Sequence, residues 1–109
     1  MRMSENMIET RITMVDHMME NAEKTAKFLK SLAHPARLVI LCRLSEAPAS
    51  VGELENTLQL AQPIVSKLLG QLRKEGLVTT QRDGRSIIYH LADERTRQIV
   101  GKLYEQFCD

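Results

Sequence analysis

The stretch SVGELENTLQLAQPIVSKLLGQLRKEGLVTTQRDGRSIIYHL, residues 50–91, decides the fold of this 109-residue chain. Ser50 stands three residues before Glu53, which is the spacing of a capping box, and this pattern predicts a short helix over residues 51–58. A second helix is predicted over residues 63–75, because a proline suits its first turn and a glycine follows its last residue. The connection between the two helices is only a few residues long.

The residues after these two helices predict a β-hairpin. The runs 77–81 and 86–91 are rich in β-branched residues, and the Asp-Gly pair between them is a strong hairpin signal. Two short helices over 50–75, followed directly by a hairpin over 77–91, are the arrangement of a winged helix-turn-helix. In such a unit the second helix enters the major groove of DNA and the hairpin, or wing, lies along the backbone.

Helices are predicted on both sides of this unit. Apolar positions from Ile8 to Leu29 alternate steps of four and three, which predicts a long amphipathic helix over residues 1–31 that contacts either a partner helix or its own subunit. Pro35 predicts the start of the next helix. Asp93 is placed to cap a last helix over residues 93–108.

The predicted fold is therefore mainly α with a small β-hairpin, in the order α-α-α-α-β-β-α. We expect residues 1–109 to form a single winged helix-turn-helix domain. His34, next to the proline at the start of the second helix, is expected to be a local cap or packing group.

Charge is distributed unevenly along the chain. The net charge is only +1, but residues 62–91 carry five basic and two acidic side chains. A local basic patch on a nearly neutral protein suits a polyanion bound at one face, although an ordinary solvated surface has the same composition.

Other features of the whole sequence indicate the cellular compartment. No apolar run approaches the ~20 residues of a membrane span, and the N-terminus lacks the apolar core of a secretory signal. We therefore expect a cytoplasmic protein with no membrane partner. In that compartment the two cysteines are expected to be thiols rather than a structural disulfide.

The candidate DNA contacts lie on the helix over 63–75 and on the wing. Val65, Leu69 and Leu72 share one face of this helix and are expected to point inward. Side chains on the other face can meet bases or phosphates of double-stranded operator DNA, and two wing arginines can meet phosphate or the minor groove. The candidate DNA-binding residues are Gln62, Pro63, Ser66, Lys67, Gln71, Arg82 and Arg85.

Four motifs in the correct order resemble the signatures of the ArsR (SmtB/ArsR) family of repressors. They are His34-Pro35-Ala36-Arg37-Leu38, Ser50-Val51-Gly52-Glu53-Leu54, Val65-Ser66-Lys67-Leu68-Leu69 and Glu75-Gly76-Leu77-Val78. The resemblance covers about residues 25–108 and implies a homodimeric winged-helix repressor. It further implies that the first and last helices form the dimer interface and that an inducer releases the protein from DNA.

The resemblance also implies which kind of signal the repressor senses. Metal-sensing members of the family carry cysteines where this chain has Ser50 and Gly52, or histidine and carboxylates in the last helix, and this chain has no histidine after His90. The segments around Cys42 and Cys108 are similar to the two cysteine motifs of the persulfide-sensing branch. That similarity implies that persulfide, polysulfide or an oxidant links the two thiols, with no metal and no cofactor.

Alternatives to this interpretation remain open on the sequence. Cys42 can be a small buried hydrophobic residue and Cys108 an idle surface thiol. The cysteines could instead hold a metal or haem together with histidine, or the winged helix could be a protein-interaction module that does not bind DNA. An enzyme is not expected, because no nucleophile, base and orienting group can be assembled and no phosphate-binding glycine loop is present.

Overall fold

The structure is a computed structural model that describes the backbone of residues 5–107 and the side chains of residues 10–107. It divides into two compact units, residues 1–32 and residues 33–109. The first unit is the helix α1, Glu5–Leu32, which agrees with the predicted first helix over the described residues. Ile12, Val15 and Met19 of its apolar stripe are each more than half exposed.

The second unit begins with helix α2, Pro35–Glu46, at the proline that the sequence indicated. His34 is its N-cap, because Nδ1 of the imidazole accepts a hydrogen bond of 3.4 Å from the backbone N–H of Arg37. The buried side of α2 consists of Ile40, Leu41, Cys42 and Leu44.

The predicted helix-turn-helix is present as helices α3, Val51–Leu58, and α4, Gln62–Lys74. The capping box is formed at the start of α3, where Ser50 Oγ accepts from the backbone N–H of Glu53 at 3.2 Å. The N–H of Ser50 in turn donates to the Glu53 carboxylate. Helix α4 begins one residue earlier than expected, because the preceding alanine serves as N-cap and the proline takes the second helical position.

A Schellman motif ends α4 (Gln62–Lys74) at the predicted glycine. Gly76 has a φ of +78°, the left-handed conformation that glycine adopts without steric cost. Its N–H donates to the carbonyl of Arg73 at 3.1 Å, and the N–H of Leu77 donates to the carbonyl of Leu72 at 2.9 Å. These bonds turn the chain directly from the helix into the wing.

The wing consists of strands β2, Val78–Asp83, and β3, Ser86–Leu91. A further strand, β1, Ala49–Ser50, was not predicted and pairs antiparallel with β3, so that the sheet order is β1-β3-β2. A two-residue strand has too little pattern of its own to be visible in the sequence. Its pairing joins the wing to the N-terminus of α3.

Helix α5, Glu94–Phe107, completes the unit and packs against α2 (Pro35–Glu46). Asp93 caps it as predicted, because Oδ1 accepts a 2.7 Å hydrogen bond from the backbone N–H of Thr96. Cys108 lies outside the described residues. The core of the described part is aliphatic, with these side chains at most 2% exposed: Ile40, Leu41, Leu54, Val65, Leu69, Leu72, Val78 and Val100.

The architecture is thus mainly helical with a small three-stranded antiparallel sheet, which confirms the predicted fold class. Among the residues that the structure describes, no helix combines the length and apolarity needed to cross a membrane.

Candidate nucleic-acid interface and thiol cavity

Helix α4 has one buried and one open face. Val65, Leu69 and Leu72 are fully buried, as their spacing predicted, and Leu68 is 7% exposed, so the inward face is one residue wider than expected. The candidate DNA-contacting residues of α4 lie outside this face: Gln62, Pro63, Lys67 and Gln71 are exposed and Ser66 is half-buried.

Two of these residues are bonded to each other. Gln62 Nε2 donates a 2.7 Å hydrogen bond to Ser66 Oγ, one helical turn further along α4. The bond fixes the rotamer of the glutamine and leaves its amide oxygen and the serine hydroxyl proton available to a further partner. The first two turns of α4 therefore present one acceptor and one donor close together, a combination that can read a base edge.

Ile64 was missed by the sequence reasoning. Its side chain is 47% exposed in the first turn of α4, beside the fully buried Val65. An exposed aliphatic side chain at this place can contact the methyl group of thymine. The sequence did contain a signal for this residue, because Ile64 lies outside the apolar stripe of the helix, and an isoleucine on the polar face is unusual.

The wing carries two exposed arginines. Arg82 lies on β2, paired in register with Ile87 of β3, and Arg85 lies in the turn between the strands. Gly84, the other turn residue, has a φ of +63°, while Arg85 has no positive φ. A positive φ at only the first of two turn residues is the requirement of a type II′ hairpin turn. This turn places Arg85 at the tip of the wing.

A cavity of about 670 Å³ lies between α2, α3 and α5 on the second unit. Cys42, 9% exposed, is part of its wall, together with Phe107 at the end of α5. The remaining wall is formed by Leu38, Val39, Arg43, Glu46, Thr57, Leu58, Leu103 and Tyr104. Cys42 and the residue that directly precedes Cys108 in sequence therefore line the same cavity.

Comparison with known proteins decides the family. The family model described as bacterial regulatory protein, arsR family, matches residues 34–80. The biofilm growth-associated repressor of Agrobacterium fabrum is 44% identical over 91 residues, which are 84% of this chain and 78% of that protein. The chain belongs to the ArsR family. It is a DNA-binding transcriptional regulator and not an enzyme.

Solved structures of ArsR-family relatives have the same fold. The transcriptional repressor BigR from Xylella fastidiosa is similar with a TM-score of 0.79 and 42% identity, over 85% of this chain and 92% of that one. Reduced HlyU from Vibrio cholerae is similar with a TM-score of 0.79 and 34% identity, over 85% of this chain and 98% of that one. At these identities and coverages the match extends through the helix-turn-helix and the wing.

Among the residues that the structure describes, no group of three or more histidine, cysteine, aspartate or glutamate side chains is placed to hold a metal ion. Ser50 is engaged in the cap of α3, with Oγ bonded to the backbone N–H of Glu53. The side chain of Ser50 therefore has a structural role at the start of α3.

Proposed function

We propose that the protein is a dimeric repressor that leaves its operator when reactive sulfur species or oxidants link Cys42 to Cys108. The observation that carries the proposal is the shared cavity, whose wall contains Cys42 on α2 and Phe107 next to Cys108. A covalent link across this cavity would tie α2 to the end of α5. The cytoplasm keeps thiols reduced at rest, so the link would form only under a sulfur or oxidant stimulus.

The DNA-binding part of the proposal rests on α4. Its 13 residues span roughly 20 Å, which is enough to cross a major groove ~12 Å wide. Gln62, Ser66 and Gln71 would read base edges, and Lys67 would hold phosphate. The wing arginines would meet the backbone or the minor groove beside the site.

The dimer part of the proposal rests on apolar side chains that lie open on the first and last helices. Ile12, Val15 and Met19 of α1 are 56 to 59% exposed, and Phe107 of α5 is 83% exposed. Apolar surface of this extent is typical of a face that another subunit covers. Two copies would then hold their α4 helices near the ~34 Å separation of successive major grooves, and a link between α2 and α5 would change that spacing.

The switching chemistry balances without a metal or a cofactor. The Cys42 thiolate attacks the outer sulfur of a persulfide R–S–SH, the S–S bond breaks, and the products are Cys42–S–SH and RSH. The Cys108 thiolate then attacks Cys42 Sγ and releases hydrogen sulfide, leaving a disulfide between the two cysteines. The persulfide is reduced in this sequence and the two thiols are oxidised.

Gel-shift titration of operator DNA with the reduced wild type, Cys42→Ser and Cys108→Ser tests the proposal. We expect persulfide to release DNA from the wild type only, and a thiol reductant to restore binding. Equal release from the wild type and both variants would contradict it. The variants also serve as their own controls, because serine preserves size and each should bind DNA like the reduced wild type.

A further inference from the structure

If Cys42 is a sensor thiol, as proposed above, the cavity around it determines which reagent can reach its sulfur. Cys42 is 9% exposed and lines the cavity between α2, α3 and α5. The Cys42 thiolate attacks a sulfur of the donor in line with the donor S–S bond that breaks. The donor therefore has to enter the cavity before it can react. The chemistry of the cavity wall therefore selects among donors.

The wall favours an uncharged molecule. It is formed mainly by aliphatic and aromatic side chains, with Leu38, Leu58 and Leu103 among them. The two charged side chains, Arg43 and Glu46, have opposite signs and lie one turn apart on α2. Nη1 of Arg43 already donates a 2.8 Å hydrogen bond to the carbonyl of Ala47.

The charge balance of this wall has a direct consequence for anions. An anionic donor loses its hydration when it enters the cavity. The positive charge of Arg43 could compensate for this loss, but the negative charge of Glu46 nearby opposes it. An apolar donor has no such penalty and gains from the removal of apolar surface from water. The size is also suitable, because about 670 Å³ lies within the ~300–1,000 Å³ range of small-molecule sites.

We infer that the sulfur donor for Cys42 is a small uncharged organic polysulfide, R–S–S–S–R with apolar R groups, in preference to charged donors. The Cys42 thiolate attacks the central sulfur and one RS⁻ leaves, which gives Cys42–S–S–S–R. The Cys108 thiolate attacks the same sulfur, and the second RS⁻ leaves. Both leaving groups take up the protons of the two thiols, so the net products are one Cys42–S–S–S–Cys108 bridge and two RSH.

The test compares two trisulfides of matched length on the full chain. Dipropyl trisulfide is uncharged, and the trisulfide of 3-mercaptopropionate carries a carboxylate at each end. Mass spectrometry of the Cys108→Ser variant follows the modification of Cys42 alone, and the same reaction in urea gives the intrinsic reactivity of each donor. We expect the ratio of the two rate constants to be roughly tenfold larger in folded than in unfolded protein.

A charge placed at the mouth of the cavity provides a second measurement. Val39 lines the cavity and is 45% exposed, so Val39→Lys can fold with its ammonium at the entrance. We expect this variant to react about threefold faster with the anionic donor, and less so at high salt. Ile87→Lys is the matched control, because Ile87 is 44% exposed on the wing and lies outside the cavity wall.

Two results would overturn the inference. One is an equal ratio of the two rate constants in folded and unfolded protein. The other is a Val39→Lys variant that behaves like Ile87→Lys. Release of operator DNA is measured separately. If DNA is released but the two donors react alike, only the present inference is contradicted. If the trisulfide bridge forms and DNA is not released, the proposed function is contradicted.

Discussion

Arg37 and Glu75 form an ion pair that joins the first turn of α2 to the C-terminal end of α4. The side chain of Arg37 is 13% exposed and that of Glu75 is 39% exposed, so the pair is partly shielded from water. Since α2 carries Cys42 and α4 carries the candidate base-reading residues, this pair is a direct polar link between the two helices.

Removal of this link should affect both stability and DNA binding. We expect Glu75→Gln to lower the free energy of unfolding by about 1 kcal/mol, because a partly buried charge-assisted hydrogen bond is lost. Operator affinity should fall as well, since one end of α4 is then held less firmly. Urea unfolding and gel-shift titration measure the two effects. Glu94→Gln is the control, because the Arg97–Glu94 pair is more than half exposed on both sides and should contribute less to stability than the Arg37–Glu75 pair.

Lys67 is expected to neutralise a phosphate. Lys67→Ala should weaken binding to operator and to unrelated DNA by a similar factor, because a phosphate contact carries no sequence information. The slope of log affinity against log salt concentration should become about 0.9 less steep. Fluorescence anisotropy over a series of salt concentrations measures this slope, and an unchanged slope would mean that Lys67 does not touch DNA.

The bonded pair Gln62 and Ser66 is expected to carry sequence preference. Gln62→Ala should weaken the free energy of operator binding by about 1 to 3 kcal/mol, because a contact to one base is lost. Non-specific binding should remain nearly unchanged. Competition gel shifts with operators altered one base pair at a time measure the effect. A loss that is uniform over all sequences would assign this residue to the DNA backbone instead.

Replacement by alanine should change the stability of the protein in opposite directions at two glycines. Gly84 has a φ of +63°, so Gly84→Ala should destabilise the wing by about 1 kcal/mol because a Cβ is strained there. Gly70 lies on the exposed face of α4, and a Cβ built on it meets nothing within 4 Å. Gly70→Ala should therefore stabilise the protein by up to ~1 kcal/mol. Thermal unfolding compares them, and an equal sign for both changes would contradict this account.

Asp93 should make stability depend on pH in the acid range. The pKa of its carboxyl is lowered from the ordinary 3.8, chiefly because the carboxylate accepts a hydrogen bond from the backbone N–H of Thr96. A group with a lowered folded pKa contributes stability above its unfolded pKa and loses it as pH falls through the folded pKa. The stability advantage of wild type over Asp93→Ala should therefore be fully present at pH 7 and become smaller as the pH falls through the lowered pKa of the folded state.

Urea unfolding at several pH values measures this dependence. Asp93→Asn separates the two causes, because the amide oxygen can still cap α5 but carries no charge. Its stability relative to Asp93→Ala should be independent of pH. An advantage of wild type over alanine that persists unchanged at pH 2 would show that the charge of Asp93 does not matter.

Local signals in the sequence were sufficient for most of the helix and turn boundaries. The capping box of Ser50 and Glu53 predicted α3, and the glycine after α4 predicted its end, because each motif needs only residues within one turn of each other. The hairpin followed in the same way from the Asp-Gly pair. Its type II′ turn did not, because the same dipeptide also fits other turn types.

The candidate DNA residues were accessible to sequence reasoning for a similar reason. The 3.6-residue period of α4 separates an inward face with Val65 from an open face with Lys67, and the structure has these faces as expected. Ile64 was missed because an isoleucine is usually buried, although its position in the helical period indicated exposure. Only the packed fold showed that the side chain is exposed.

By itself the sequence determined the order of the five helices and the two wing strands, the faces of α4 and the basic character of residues 62–91, since these depend on neighbours along the chain. Only the tertiary structure decided the pairing of Ala49 with Tyr89, the ion pair between Arg37 and Glu75, and the cavity around Cys42. Each of these joins residues about 15 to 65 positions apart, so it depends on how the helices and strands pack, which no local pattern encodes.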